Sequence, residues 1–316
     1  MDNLTHTLTG LALSRAGLNR FYTRPALVLV VAANLPDIDV ISALGGGVSY
    51  LDHHRGITHS LFMLPVLALI PVLLALTISR SRAGLVGAYV LSLIGLGSHL
   101  LLDWTNAYAI RLLLPFSGTW FHSDLNSVVD VCIWAVLLLA VLGPLLGRLV
   151  SSEIGAKPGS GRGLAIFALS FILVYDYGRF LLHERAVSTL NSRVYDGEPP
   201  ARVGVFPGAV NPLRWVAWVE TGSAAIRYDL DLTTSFDPGA GTKFYKPEMT
   251  PAIQAAKATE AFRVMGQFAI YPLFMVSPAD EPEGGTRVEL RDERFPFLAW
   301  ALVDRGAHVV RSGFHF

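Results

Sequence analysis

Apolar residues cluster unevenly along the chain. The first 182 positions carry long runs almost free of charge, while the remainder mixes and alternates polar with apolar residues. A helix needs about 20 mostly apolar residues to cross a hydrocarbon core. Runs 61–79, 83–102 and 128–147 meet that length, and 163–182 meets it while carrying Asp176 and Arg179, expected to pair along one helix. Two shorter runs come first, 4–18 and 25 to about 35, the second ended by Pro36. Six membrane-embedded helices are therefore predicted. After residue 182, RWVAWVE, AAIRYDLDL, TRVELRD and AHVVRSGFHF read as half-buried strands. PAIQAAKATEAFRVM reads as one helix, with Thr250 as N-cap and Pro251 at its first position. The expected architecture is a polytopic α-helical membrane domain of about six helices, residues 1–182, followed by a soluble α+β domain, residues 183–316. Trp215, Trp218 and Phe236 are expected to rest on the bilayer or on the outer helix ends.

Composition agrees with a membrane location. Of 316 residues, 52% are hydrophobic and 16% charged, against about 25% charged in ordinary soluble domains; the mean hydropathy is +0.45. Formal net charge is zero, which argues against a nucleic-acid partner. The single cysteine, Cys132, excludes an intramolecular disulfide. The N-terminus MDNLTHTLTG lacks the basic start of a signal peptide and is read as retained. If all six helices cross, one side receives Arg15, Arg20, Arg24, Arg80, Arg82, Arg148, Lys157 and Arg162, and the other only Arg55 and Arg111. That asymmetry places the first set in the cytoplasm and the C-terminal domain on the outer side.

The ionisable residues of the first half then gather on one side. His6 starts helix one, Asp37 and Asp39 end helix two, His53, His54 and His59 start helix three, and His99 and Asp103 end helix four. Starts of odd helices and ends of even helices share a side. At 1.5 Å per residue, these groups lie about 20–26 Å from the cytoplasmic arginines, inside the outer third of the core. Ionisable groups at that depth cost several kcal/mol unless paired, hydrated or metal-bound. His99 and Asp103 share a helix face at i and i+4. An extended turn at Asp37–Ile38–Asp39 would point both carboxylates the same way, and Thr58 can cap a helix that carries His59 on its first turn.

Imidazoles with carboxylates suit zinc, manganese or iron. Seven candidates, His6, Asp37, Asp39, His54, His59, His99 and Asp103, exceed one tetrahedral site, so one or two divalent metals are expected. An aspartate not used as a ligand, Asp37 or Asp103, can serve as general base, and Arg55 can hold an anionic substrate group. His122, Asp124 and Asp130 lie on the same side, Asp130 at the start of a helix where it either joins the site or favours the N-terminus.

The ordered pieces TH, LPDID, HRGITHS and GSHLLLD resemble the membrane-bound metal-dependent hydrolases, the LexA-regulated, YdjM-like inner-membrane group, over about residues 1–130. That resemblance implies a bacterial inner membrane, a divalent metal and ligands among His6, Asp37, Asp39, His54, His59, His99 and Asp103; His53 falls outside the motif. The expected function is a membrane-embedded metal-dependent hydrolase acting on a lipid or lipid-linked ester. Two alternatives stay open: a cation or proton transporter built on the same polar cluster, and a structural membrane protein pinned by its metal. The inner halves of helices three to five are apolar, which disfavours a transport path.

Overall fold

The computed structural model describes residues 1–79, 83–155 and 159–315. Arg80, Arg82 and Lys157, used above to orient the helices, lie outside the described residues. Two compact units result. The first comprises Met1–Ile38, Arg55–Glu184 and Pro207–Leu213; the second comprises Asp39–His54, Arg185–Phe206 and Arg214–Phe316.

Helix α1 (Asn3–Ala16) begins at Asp2, whose carboxylate accepts from the Leu4 and Thr5 amides. Helix α2 (Pro25–Asn34) has proline at its start and passes into a 3-10 helix, Pro36–Gly45. Then come α3 (Gly47–His53), a 3-10 turn at Ile57–His59, α4 (Leu64–Leu67), α5 (Leu69–Ser79), α6 (Leu85–Thr105), α7 (Val131–Ile154) and α8 (Arg162–Asn191). Among the described residues three helices are long and apolar enough to cross a membrane: Leu85–Thr105, Val131–Val150 and Arg162–Asn191. The number rises to five if each of two bent pairs is one span, Pro25–Asn34 with Pro36–Gly45 at 42° and Gly47–His59 with Leu64–Ile78 at 82°.

Small residues let the helices of the first unit approach closely. A Cβ on Gly10 of α1 would stand 3.0 Å from the Leu29 carbonyl oxygen of α2, and one on Gly95 of α6 would stand 2.7 Å from the Ala32 Cβ. Such contacts are how helices pack where lipid gives no hydrophobic drive. Pro144 lies inside α7. Proline has no N–H for the carbonyl four residues earlier, which is Ala140. Arg15 of α1 donates from Nη1 to the Ala140 carbonyl at 3.0 Å and to that of Val141 at 2.7 Å. Leu8, Ala12, Ile133, Leu137, Ala165 and Ala168 fill the core between α1, α7 and α8.

Polar residues tie α8 to the preceding loop. Asp130 caps α7, accepting from the Cys132 amide at 3.0 Å and the Ile133 amide at 3.2 Å, and the Tyr175 hydroxyl donates to its other oxygen at 3.1 Å. Asp176 accepts from Asn126 at 2.7 Å, while Arg179 donates to the carbonyls of Leu125 at 2.7 Å and Pro212 at 2.5 Å. Asp176 and Arg179, expected to pair along one helix, thus each also take partners outside α8. Unpaired backbone carbonyls in loops are strong acceptors for a buried guanidinium.

The second unit contains two four-stranded antiparallel sheets, ordered β1-β2-β3-β4 and β5-β6-β7-β8. The first comprises β1 (Arg202–Pro207), β2 (Arg214–Glu220), β3 (Ala224–Asp231) and β4 (Thr242–Tyr245); the second comprises β5 (Pro272–Ala279), β6 (Gly285–Asp292), β7 (Leu298–Val303) and β8 (Val309–His315). All four strand-like segments of the sequence fall on strands. Trp215 and Trp218 do not rest on a bilayer surface: they are buried, at 2% and 1% exposure. The expected single helix after Thr250 is two, α9 (Pro251–Lys257) and α10 (Glu260–Phe268). Thr250 does cap the first, but Thr259 caps a second start, its hydroxyl accepting from the Phe262 amide. Phe262, Val264, Met265 and Phe268 form the buried face of α10, and both helices pack on β6, β7 and β8.

Candidate metal centre

Five of the seven expected ligands meet inside the first unit. Asp37 stands at the start of the 3-10 helix that follows α2, His59 ends the 3-10 turn Ile57–His59, and His99 and Asp103 occupy the last turns of α6. One donor atom from each of Asp37, His59, His99 and Asp103 lies within 4.8 Å of all the others. His59 Nε2 is 3.1 Å from His99 Nε2, 3.4 Å from Asp37 Oδ1 and 3.4 Å from Asp103 Oδ2. His99 Nε2 is 3.7 Å from Asp37 Oδ1 and 3.5 Å from Asp103 Oδ2. Bonds of about 2.0–2.2 Å from nitrogen and oxygen ligands at tetrahedral angles set neighbouring donors about 3.3–3.6 Å apart, so the spacing fits one small divalent cation.

Local structure explains the convergence. Gly95 lets α6 lie against α2, and one turn later His99 Nδ1 reaches the Ala33 carbonyl at 2.7 Å. A carbonyl only accepts, so Nδ1 carries the proton and Nε2 keeps its lone pair toward the cluster. That is the outer-shell bond that orients a metal-binding imidazole. Gly10 plays the matching part on α1: His6, one turn earlier, stacks on His99 with ring centroids 3.8 Å apart and sets Nε2 3.3 Å from Asp103 Oδ1. His59 Nδ1 is 3.2 Å from the Thr58 hydroxyl; Thr58 thus contacts the histidine ring, where a helix cap was expected.

The donor set fits a cation on independent grounds. His59, His99 and Asp103 have no exposed side-chain surface, and Asp37 only 8%. Asp37 Oδ2, Asp103 Oδ2 and both His6 nitrogens are buried without a hydrogen-bond partner. Orphaned buried acceptors of this kind are costly and call for an ion or water. On its other side Asp103 Oδ1 contacts the Met1 amine and accepts from Arg55 Nη2 at 3.1 Å. Arg55 also donates to Asn106 Oδ1 at 3.1 Å and lies over the Tyr108 ring at 4.6 Å.

The remaining candidates are not part of that four-residue group. Asp39 and His54 bond each other at 2.8 Å (Oδ1 to Nδ1), and His54 stacks on Tyr50. The expected extended turn at Asp37–Asp39 is a 3-10 helix, in which Asp37 meets His59 and Asp39 meets His54. His53 bonds the Ser49 carbonyl on the exterior. His122 and Asp124 pair at 2.8 Å. Asn106 and Tyr108 were missed by the sequence reading; DWTNAY held them, but nothing there signalled a contact with Arg55 from fifty residues upstream.

Comparison with known proteins agrees with the helical half. Over 206 residues the chain is 26% identical to "Uncharacterized protein YfhP" of Bacillus subtilis (strain 168), an alignment covering 62% of this chain and 59% of that relative. No solved structure matches the chain. The family model for the YdjM inner membrane protein matches residues 1–185. The protein, with its apolar helices and buried aspartate–histidine cluster, belongs to the YdjM inner membrane protein family.

Proposed function

We propose that this chain is a metal-dependent hydrolase of the bacterial inner membrane, acting on a lipid or lipid-linked ester, with six membrane-embedded helices and its C-terminal domain on the periplasmic side. The observation that carries the reading is the convergence of Asp37, His59, His99 and Asp103 at ligand spacing in a water-poor site. These four residues would hold the ion. Such an ion polarises an ester oxygen and lowers the pKa of water from 15.7 to about 7. The protein's own part is division of labour between the carboxylates. Asp103 is enclosed and engaged by Arg55 on its far oxygen, which suits a fixed ligand. Asp37 turns Oδ1 toward His59 and His99, while its Oδ2 is buried without a partner, which suits that second oxygen to take a proton from a water held beside the ion. Apolar side chains exposed near Asp37, Ile38 and Val40 among them, favour a lipid-like substrate.

The near-complete burial of the four residues also favours a second reading, in which the ion pins α2, the Ile57–His59 turn and α6 together. Structural sites are closed and catalytic ones keep an open position. Purified protein, stripped by chelation and reloaded with zinc or manganese, separates the two when offered phosphoester and carboxylester lipids. The hydrolase reading expects release of a lipid product that chelation abolishes and reloading restores. Metal-dependent thermal stability with no product from either ester class would leave the structural reading in its place.

A further inference from the structure

Arg55 is the least expected resident of the site. The guanidinium of this residue is buried, with the residue 2% exposed. The backbone takes φ +54, a left-handed conformation uncommon for a residue with a side chain. Nη2 donates to Asp103 Oδ1 at 3.1 Å, Nη1 donates to Asn106 Oδ1 at 3.1 Å and to the Ala109 carbonyl at 3.4 Å, and the plane lies 4.6 Å over Tyr108. Asn106 in turn donates to Asp103 Oδ1 at 3.4 Å and accepts from the Tyr108 amide at 2.7 Å. Each of these partners belongs to the end of α6 or the loop just after it. The fork is directed at the protein itself, a use for which guanidinium geometry is better suited than ammonium.

Asp103 therefore has two differently occupied oxygens. Oδ2 faces His59 and His99 without a hydrogen-bond partner, while Oδ1 faces Arg55, the Met1 amine and His6. A second metal bridged by Asp103 would have to sit on the Oδ1 side, where Arg55 already supplies a fixed positive charge. We infer that Arg55 is a positioning residue that takes the place of a second cation: it locks the Asp103 carboxylate so that Oδ2 completes a single-metal site. This inference rests on the four-residue metal site proposed above.

Zinc titration of the full-length chain in detergent, after chelator stripping and against a competing chelator, tests it. The inference expects one zinc per chain in the wild type, a Kd raised about 10–100-fold in Arg55→Gln, the range seen when outer-shell partners are lost, and partial recovery in Arg55→Lys. Apo-protein melting temperature is measured alongside. A fall in apo stability with unchanged Kd would make Arg55 merely structural and overturn the inference. So would two zinc ions per wild-type chain. Should Arg55→Gln fail to fold, Arg55→Lys decides: a weakened Kd supports the inference and a wild-type Kd overturns it. Zinc absent from the wild type removes the four-residue site and this inference together, whereas zinc bound equally well by wild type and variants removes this inference alone.

Discussion

His99 shows how much one side chain is made to satisfy. Its Nδ1 bonds the Ala33 carbonyl, its ring stacks on His6, and its Nε2 approaches His59, Asp37 and Asp103. The i,i+4 spacing of His99 and Asp103 was legible in the sequence because a helix fixes which residues share a face. The fates of Asp37 and Asp39 were not, since the two belong to a 3-10 helix whose partners, His59 and His54, come from a distant turn. Glu293 in the second unit offers a residue-scale test free of the metal. Burial raises its pKa above the ordinary 4.5, so the folded state holds the proton more tightly than the unfolded one. The associated stability is fully present below about pH 4.5 and is lost as pH rises through the folded pKa. Glu293→Gln is thus expected to raise the melting temperature at pH 7 and to make no difference at pH 4, as measured by thermal unfolding at both values. A variant less stable than wild type at pH 7 would contradict the argument.

At the scale of elements, helix packing sets the site. Apolar runs revealed α6, α7 and α8, but the glycines that govern their approach looked ordinary in the sequence. GLGSH hides the difference between Gly95, whose added Cβ would meet Ala32 at 2.7 Å, and Gly97, whose Cβ would meet nothing. Gly95→Ala should cost about 1–3 kcal/mol by overpacking, against about 0.5–1 kcal/mol returned by better helix propensity, and should weaken metal binding by displacing His99. Gly97→Ala should stabilise slightly and leave metal binding unchanged. Parallel melting and metal titration of the two variants checks this; equal behaviour would refute the packing argument. The backbone hydrogen bond that Pro144 removes from α7 offers a second test. Arg15→Met leaves the Ala140 carbonyl unbonded and should cost about 1–3 kcal/mol. In a Pro144→Ala background the restored N–H can bond that carbonyl, so the same change should cost less. A double-mutant cycle of unfolding free energies should return a coupling of about 1 kcal/mol, and strict additivity would show that Arg15 does not serve that carbonyl.

For the whole molecule, the ends of the helices decide where the site forms. His6 on the first turns of α1, Asp37 after α2, His59 before α4 and His99 and Asp103 at the end of α6 come together in the first unit whether α1 and α2 span or not. The composition changes near residue 182, and the chain passes from the first unit to the second at Glu184–Arg185, inside α8, whereas the inclusion of Asp39–His54 in the second unit had no local signature. Membrane orientation is tested with Cys132→Ala chains carrying Ser160→Cys or Ser235→Cys, both exposed positions. In intact cells the basic-residue asymmetry predicts labelling by an impermeant thiol reagent at 235 and none at 160; the opposite pattern would invert the protein. The central claim, that Asp37, His59, His99 and Asp103 form one metal centre, is tested most directly by elemental analysis of purified full-length protein after reloading and removal of free ion. It predicts close to one divalent ion per chain in the wild type, with affinity lowered more than about 100-fold in His59→Ala and His99→Ala, beyond the loss expected for outer-shell partners. A wild type that retains no ion, or full retention in both histidine variants, would contradict it.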